Sequence, residues 1–448
     1  MNTTDTAQCG PFALLREPAY RNITMFSIMA SLFVLVGLVQ GWGLSLTILN
    51  LCLISAIMSL GVNIQWGYAG LLNVGVMGFV ALGGLAAVLV SVPPVEEAIA
   101  AGGAGLLSSL VILLVTVALV IVANRKVARP YRVPLIASVI IIGYFVGRSF
   151  YAPAIEAIEA VNPALEGNLG GLGLPILSSW IVGGLFAAGA ACVVGKISLG
   201  LRSDYLAIAT LGISEIIITI LKHEEWLARG VKNQIGLPRP VPYEVAVQNS
   251  LAYQSIADRL GMDIVDFSSI FVKLCYAGLF LAVLVIILYF AEKALKSPWG
   301  RMMQAIRDNE TAAAAMGKDV KGRHLQVFIL GSAVIGIAGA MLTTIDGQFT
   351  PPSYHPLRYT FLIWVMVIVG GSGNNWGAVL GGFVIWFFWV QAEPIGLSII
   401  EVVTSGLAED SAIREHLVEN AAHMRSFTMG LILLLVLRFS PRGLLPEQ

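Results

Sequence analysis

The residue types that handle phosphate, metal or nucleophilic chemistry occur in this chain, but not in the spacings such chemistry needs. Gly195-Lys196 is followed by Ile197, and Gly317-Lys318 by Asp319, so no G-x-x-x-x-G-K-[ST] loop is available to cradle ATP phosphates. His223 precedes Glu224 and Glu225 without a second histidine four residues on, which removes the H-E-x-x-H metal helix. His416 and His423, seven apart, are expected on one helix face, but the spacing fixes no acid or third ligand beside them, and no metal site is expected. Cys9, Cys52, Cys192 and Cys275 form no C-x-x-C pair and read as small apolar packing residues. What remains is polar groups within apolar stretches, where burial in lipid is costly and function is the default expectation. Glu215 lies well inside its stretch, near mid-membrane at about 1.5 Å per residue. Thr210 and Ser214, four apart, share a face nearby; Asn63, Gln65 and Asn73 flank a glycine-rich turn; Thr343, Thr344 and Asp346 sit near an outer helix end. Each can line a path for a polar solute, or bond between helices at about 0.6 kcal/mol per contact.

The elements that must position these groups follow from composition. Of 448 residues, 57% are hydrophobic and only 12% charged. Soluble domains carry about 25% charged residues, so a soluble enzyme of this length lacks the polar surface to cover itself. Disorder is excluded by the same figures. Twenty-seven basic and 27 acidic residues balance, which argues against a nucleic-acid binder and its basic face. The expectation is an all-α, polytopic membrane bundle occupying residues 1–448 as one transmembrane domain. Apolar stretches lie at 24–41, 44–64, 70–91, 106–123, 134–150, 176–195, 204–222, 269–291, 324–345, 359–370, 376–393 and 426–439, giving about twelve spans. Those at 359–370 and 426–439 are short enough for partial or re-entrant helices. The N-terminal segment carries Asp5, Arg16 and Glu17 and lacks a cleavage site after the first apolar run, so an uncleaved first span is expected.

Basic residues orient the bundle. Arg16 and Arg21, Arg125 to Arg132, Lys196 and Arg202, the segment 292–323, and Arg438 with Arg442 all fall on one side, which is then cytoplasmic together with both termini. The loops 92–105 and 151–175 lack Lys and Arg and fall outside. Two longer outer segments are expected, 223–268 with a helix-like stretch Val245–Leu260, and 394–425 with an amphipathic helix through Ile413–Met424. Gly and small residues at four-residue spacing (Ser332, Gly336, Ala340; Gly377, Gly381) mark helix-packing faces.

The segment from Ser297 to His324 is the most informative. Ser297 with Pro298 is an N-cap and first-turn proline. A helix is expected to Arg307, a break at Asp308-Asn309, a second short helix Glu310–Met316, and a left-handed stop at Gly317. Arg301, Arg307, Asp308 and Glu310 then project polar groups beside the small surface of Ala312–Ala315. Such a knob can lie in a groove on another protein, or be an ordinary basic loop held by anionic lipid.

Four motifs in order carry a resemblance. Gly300 through Gly317 (GRMMQAIRDNETAAAAMG) resembles the coupling segment of LivM-type permeases of branched-chain amino acid ABC importers. Gly67–Gly75 (GYAGLLNVG) resembles that family's early glycine-rich stretch. Arg202–Gly212 (RSDYLAIATLG) with Glu215 resembles its middle motif, and Val369–Gly377 (VGGSGNNWG) its late loop. Two departures stand out. Val231–Pro238 (VKNQIGLP) replaces the family's Gly-Gly-Pro-Asn-Gly-like stretch, which leaves substrate identity open. Residues 106–150 form an extra helical hairpin, placed against lipid or a partner, between early spans (24–91) and middle spans (176–222); late spans (269–393) and a last span with tail (426–448) follow.

The resemblance implies one permease subunit in the bacterial inner membrane, paired with a second related permease. Two cytoplasmic ATPase subunits would bind the ATP, and a periplasmic binding protein would deliver branched-chain amino acids or a similar small polar solute. This chain would hold no cofactor. Arg301, Arg307, Asp308, Asn309, Glu310, Ala313, Met316 and Gly317 would form the ATPase-coupling knob, and Asn63, Gln65, Asn73, Thr210, Ser214 and Glu215 the substrate path. The competing readings are an ion-coupled secondary transporter using Glu215 or Asp346 as proton carrier, and a membrane-embedded enzyme. The second of these lacks a tight set of catalytic groups.

Overall fold

The computed structural model describes residues 18–162, 167–405 and 412–447. Cys9, Asp5, Arg16 and Glu17 lie outside the described residues. Among the described residues eighteen α-helices follow one another: α1 (Pro18–Val39), α2 (Trp42–Ala69), α3 (Val76–Ser91), α4 (Glu96–Lys126), α5 (Arg129–Glu159), α6 (Ile176–Ser198), α7 (Ser203–His223), α8 (Glu225–Ala228), α9 (Glu244–Gln248), α10 (Leu251–Leu260), α11 (Ile264–Leu295), α12 (Pro298–Asp308), α13 (Glu310–Ala315), α14 (Val320–Asp346), α15 (Pro356–Gly370), α16 (Asn375–Thr404), α17 (Ala412–Glu419) and α18 (Met424–Phe439). Two two-residue strands, β1 (Gln234–Ile235) and β2 (Gln348–Phe349), pair antiparallel with Gln234 opposite Phe349. One end of the bundle carries α12 and α13, hereafter the knob end; the other carries the β ladder with α9 and α10.

Ten of these helices are long and apolar enough to cross a bilayer, and two shorter apolar helices, α3 and α15, accompany them. With 16 and 15 residues, these two reach about 24 and 23 Å against roughly 30 Å of hydrocarbon. The stretch expected at 70–91 is therefore broken: residues 70–75 are irregular, alternating half-buried and buried, before α3 begins. The stretch 426–439 reaches span length because a 3-10 turn at Ala421–His423 precedes it.

Other boundaries also move. The segment 394–425 is not an outer loop throughout, because α16 runs on to Thr404 across Pro394. A proline removes one helical hydrogen bond, and membrane helices absorb that loss through neighbouring groups. Ser398 Oγ donates back to the Pro394 carbonyl one turn earlier at 3.0 Å. His416 and His423 do not share one helix face, since α17 ends at Glu419 and His423 sits in the separate 3-10 turn. Val245–Leu260 is two helices, α9 and α10, parted at Asn249-Ser250. The hairpin reaches beyond 106–150, with α4 and α5 starting and ending on glutamates (Glu96, Glu97; Glu156, Glu159) that meet water. It packs on itself, and at the ladder end Tyr151 Oη of α5 donates to Glu224 at 2.6 Å, while Leu169 N in the segment after the hairpin donates to the Trp226 carbonyl at 3.0 Å.

Helix α2 is the axis of the bundle: α1, α11, α12, α14, α15 and α16 all pack on it. In lipid, helices gain nothing by hiding apolar surface from one another, so close backbone approach must hold them. Glycine provides it at the crossings. A Cβ on Gly61 of α2 would lie 2.8 Å from the Gly331 carbonyl of α14, and one on Gly339 would press on the Val80 backbone of α3, its carbonyl carbon 2.8 Å away. Gly336 of α14 likewise faces Gly183 of α6. Gly339→Leu should therefore lower the melting temperature of the purified protein in detergent, at an overpacking cost of about 1–3 kcal/mol. Gly189→Leu, on the open face of α6 with nothing within 4 Å, should leave that temperature unchanged.

Candidate functional site

The knob is built by local rules. Ser297 Oγ accepts from Gly300 N at 3.3 Å and starts α12 behind Pro298. Met303 and Ile306 of α12 are fully buried against the bundle, worth about 1.5–3 kcal/mol each. Asn309, not Asp308, takes the next cap: its Oδ1 accepts from Ala312 N at 2.9 Å and starts α13. Gly317 closes α13 with φ +76°. Ala313 alone turns inward; Arg301, Asp308, Asn309, Glu310 and Gly317 are exposed and Met316 is 81% exposed. The result is a capped bracket whose outer surface of small residues and one methionine has no partner among the described residues.

Arg307 points the other way. Its guanidinium Nη1 donates to the Gly67 carbonyl, Nη2 pairs with Glu447 at 3.1 Å, and Nε lies 3.4 Å from Asp308. Glu447 also accepts from Gln304 Nε2 at 3.2 Å. The tail that carries Glu447 is pinned to the late loop: Leu444 N donates to Val369 at 2.8 Å and Leu445 N to Gly370 at 2.9 Å.

Behind this cluster lies a buried polar network. Asn375 is its centre. Its Oδ1 accepts from Asn63 Nδ2 at 3.1 Å and from Tyr68 Oη at 2.6 Å, while its Nδ2 donates to Glu292 Oε1 at 3.0 Å. Asn63 Oδ1 accepts from Gly373 N at 2.9 Å. Gln65 donates to Ser332 Oγ and to the Phe328 carbonyl, both at 3.0 Å, and accepts from Asn73 Nδ2 at 2.9 Å. Asn73 in turn accepts from Gly75 N at 2.9 Å, and its carbonyl accepts from Trp364 Nε1 at 2.9 Å. Thr210 Oγ1 accepts from Val74 N at 3.1 Å. Asn63, Asn73 and Thr210 thus serve the backbone of 70–75 and the late loop, and Gln65 ties Asn73 to α14, rather than being left open to a solute.

Helix α7 separates the remaining candidates. Thr210 and Ser214 lie on its buried face, Ser214 against Gly78 of α3. Glu215 lies on the opposite, exposed face with Ile208, Gly212 and Thr219, and has no hydrogen-bond or ion-pair partner among the described residues. Thr343 meets Tyr354 Oη at 3.2 Å, and Thr344 Oγ1 accepts from Trp180 Nε1 at 3.0 Å, so both are occupied between helices. Asp346 is exposed at the end of α14. The six path candidates therefore do not converge on one cavity. Tyr68 and Asn375 were within reach of sequence reading, since both stand in the glycine-rich motifs. Nothing in the sequence signalled Glu292 or Glu447.

A profile of the family described as branched-chain amino acid transport system / permease component matches residues 44–437. The chain belongs to that family, and it is a multi-pass membrane protein. It is 26% identical over 305 residues to a probable branched-chain amino acid transport permease protein LivM from Methanocaldococcus jannaschii, covering 68% of this chain and 76% of the relative. It is 28% identical over 257 residues to the high-affinity branched-chain amino acid transport system permease protein LivM of Escherichia coli, covering 56% of each. The corresponding LivM of Salmonella typhimurium is 28% identical over 252 residues, covering 55% of each chain. The chain thus spans little more than half the length of these two relatives. No solved structure matches it.

Asn375→Leu should destabilise the protein by about 1–3 kcal/mol or more, because it strips partners from Tyr68, Asn63 and the Glu292 carboxylate at once. Thermal unfolding in detergent reads this directly. Asn374→Ala, which loses the α16 cap to Trp376 N and Gly377 N and one bond to the Pro446 carbonyl, should cost about 1–2 kcal/mol.

Proposed function

We propose that this chain is a transmembrane subunit of an ATP-driven importer in the cell inner membrane, moving branched-chain amino acids or a similar small polar solute into the cell. The single observation that carries this is the α12–α13 bracket: a capped knob whose outward surface is small, exposed and without a partner among the described residues. With no phosphate-binding loop in the sequence, energy must reach the bundle through such a surface. Two ATPase subunits grip α13 through Met316, Glu310 and the alanine face, and the ATP is bound there, so this subunit holds no cofactor.

The knob end is cytoplasmic on this reading. The α4–α5 turn with Arg125 and Lys126, the segment 292–323 and Arg442 all lie at that end, as the positive-inside rule requires. Counting α3 and α15 as crossings gives about twelve passes with both termini inside. The ladder end, with α9 and α10, then receives the binding protein. Relatives of this chain are named for branched-chain amino acid transport, which supports that solute class.

A carboxylate about 18 Å along a membrane helix does not face lipid without heavy cost. The exposed face of α7 therefore meets the second permease, and Glu215 borders the solute path between the two. The path lies at that junction rather than inside this chain, where Asn63, Gln65 and Asn73 are already bonded.

Proteoliposomes holding this chain, its partner permease and the ATPases should accumulate labelled leucine, isoleucine or valine only with ATP, and this chain alone should accumulate none. Uptake by the chain alone that a proton uncoupler abolishes would establish the secondary-transporter reading instead. Met316→Asp should weaken capture of the ATPases at least about tenfold without moving the melting temperature. Glu215→Gln should lower ATP-driven uptake by about tenfold or more while the ATPases still co-purify.

A further inference from the structure

We infer that Arg307 is not an ATPase contact but a positioning clamp, which transmits movement of the knob to the irregular backbone 70–75 and through it to α7. This rests on the importer reading above and adds the residue that makes the bracket and the bundle move together. Four observations converge on it. The guanidinium bonds the Gly67 carbonyl, at the end of α2. The side chain lies across the α2 stop: a Cβ on Gly70, itself at φ +68°, would meet Arg307 Cγ at 3.5 Å. Glu447 and Asp308 fix the two remaining edges of the guanidinium. Finally, Arg307 is the last basic residue before the Asn309 joint, at the point where the bracket meets the bundle.

The route onward is continuous. Residues 70–75 follow directly on the clamped α2 terminus. Val74 N donates to Thr210 Oγ1, and Gly75 packs on the Thr210 carbonyl, so displacement of 70–75 is felt by α7, whose opposite face carries Glu215. Met303 and Ile306 hold α12 by apolar contacts, and Gln304 and Trp299 add neutral bonds to Glu447 and Gln326; the Arg307 clamp is the charged, directional hold on the α2 terminus. Arginine suits this place because its planar fork holds a carbonyl and a carboxylate in fixed relative directions, whereas a lysine ammonium is a point charge on a flexible stem.

The test is the ratio of ATP hydrolysed to solute imported by the assembled transporter in proteoliposomes. Arg307→Ala should raise that ratio at least about fivefold, the low end of typical coupling free energies, with ATPase co-purification retained. Arg307→Lys should fall between. Glu447→Gln should raise the ratio by less, and combined with Arg307→Ala should add nothing further, since both act on one clamp. A wild-type ratio in Arg307→Ala, or loss of ATPase capture in place of a changed ratio, overturns the clamp. Should Arg307→Ala fail to fold, Glu447→Gln decides alone: a raised ratio supports the clamp and an unchanged one overturns it. A wild-type complex that imports nothing with ATP overturns the importer reading, and the clamp with it; import by the wild type with unaltered ratios in the variants overturns the clamp only.

Discussion

Backbone that leaves the helix at membrane depth must find partners for its N–H and C=O groups within the protein, since lipid offers none. The six residues 70–75 impose that demand here, and much of the bundle's polar chemistry answers it. Gln65, Asn73, Thr210 and Trp364 come from α2, from the break itself, from α7 and from α15, and each gives or takes a bond at this one place. The late loop makes the same demand at the knob end, answered by Asn63, Asn374 and Asn375. These bonds fix which helices meet and in what register, where glycine crossings alone would permit sliding.

Consequences follow for where a solute can pass. Groups engaged in this way are poor candidates for transient contact with a passing molecule, because each exchange would orphan a buried atom. Helix α7 is the exception, as a helix with one face given to the scaffold and the other to the outside of the subunit. Leu206, Thr210, Ser214, Ile218 and Leu221 follow helical spacing on the first; Ile208, Gly212, Glu215 and Thr219 do so on the second. Function in this fold therefore belongs to an assembly.

Much of this was legible in advance. Apolar run lengths disclosed the bundle, and Ser297-Pro298, Asn309 and Gly317 disclosed the bracket, because capping is local chemistry readable from neighbouring residues. Reading failed where the outcome depended on distant parts. Glu292 and Glu447 acquire meaning only from Asn375 and Arg307, 83 and about 140 residues away. Thr210, Ser214 and Glu215 looked like one set because they are near in sequence, yet a five-residue step carries Glu215 to the far side of the helix. Pro394 and the break at 70–75 were misjudged for a related reason: whether a helix survives a proline, or stops at a glycine, is decided by the groups that surround it.

The hairpin α4–α5 leaves and rejoins the bundle at a single point, where Val95 N bonds the Leu169 carbonyl and Pro94 bridges Gly170. The two chain segments that bracket it are already neighbours without it. Such a seam lets a membrane protein acquire or discard helices two at a time, with no rewiring of what lies on either side and no reversal of the polypeptide beyond. Size within this architecture is free to drift by whole pairs of crossings while the working parts stay in register.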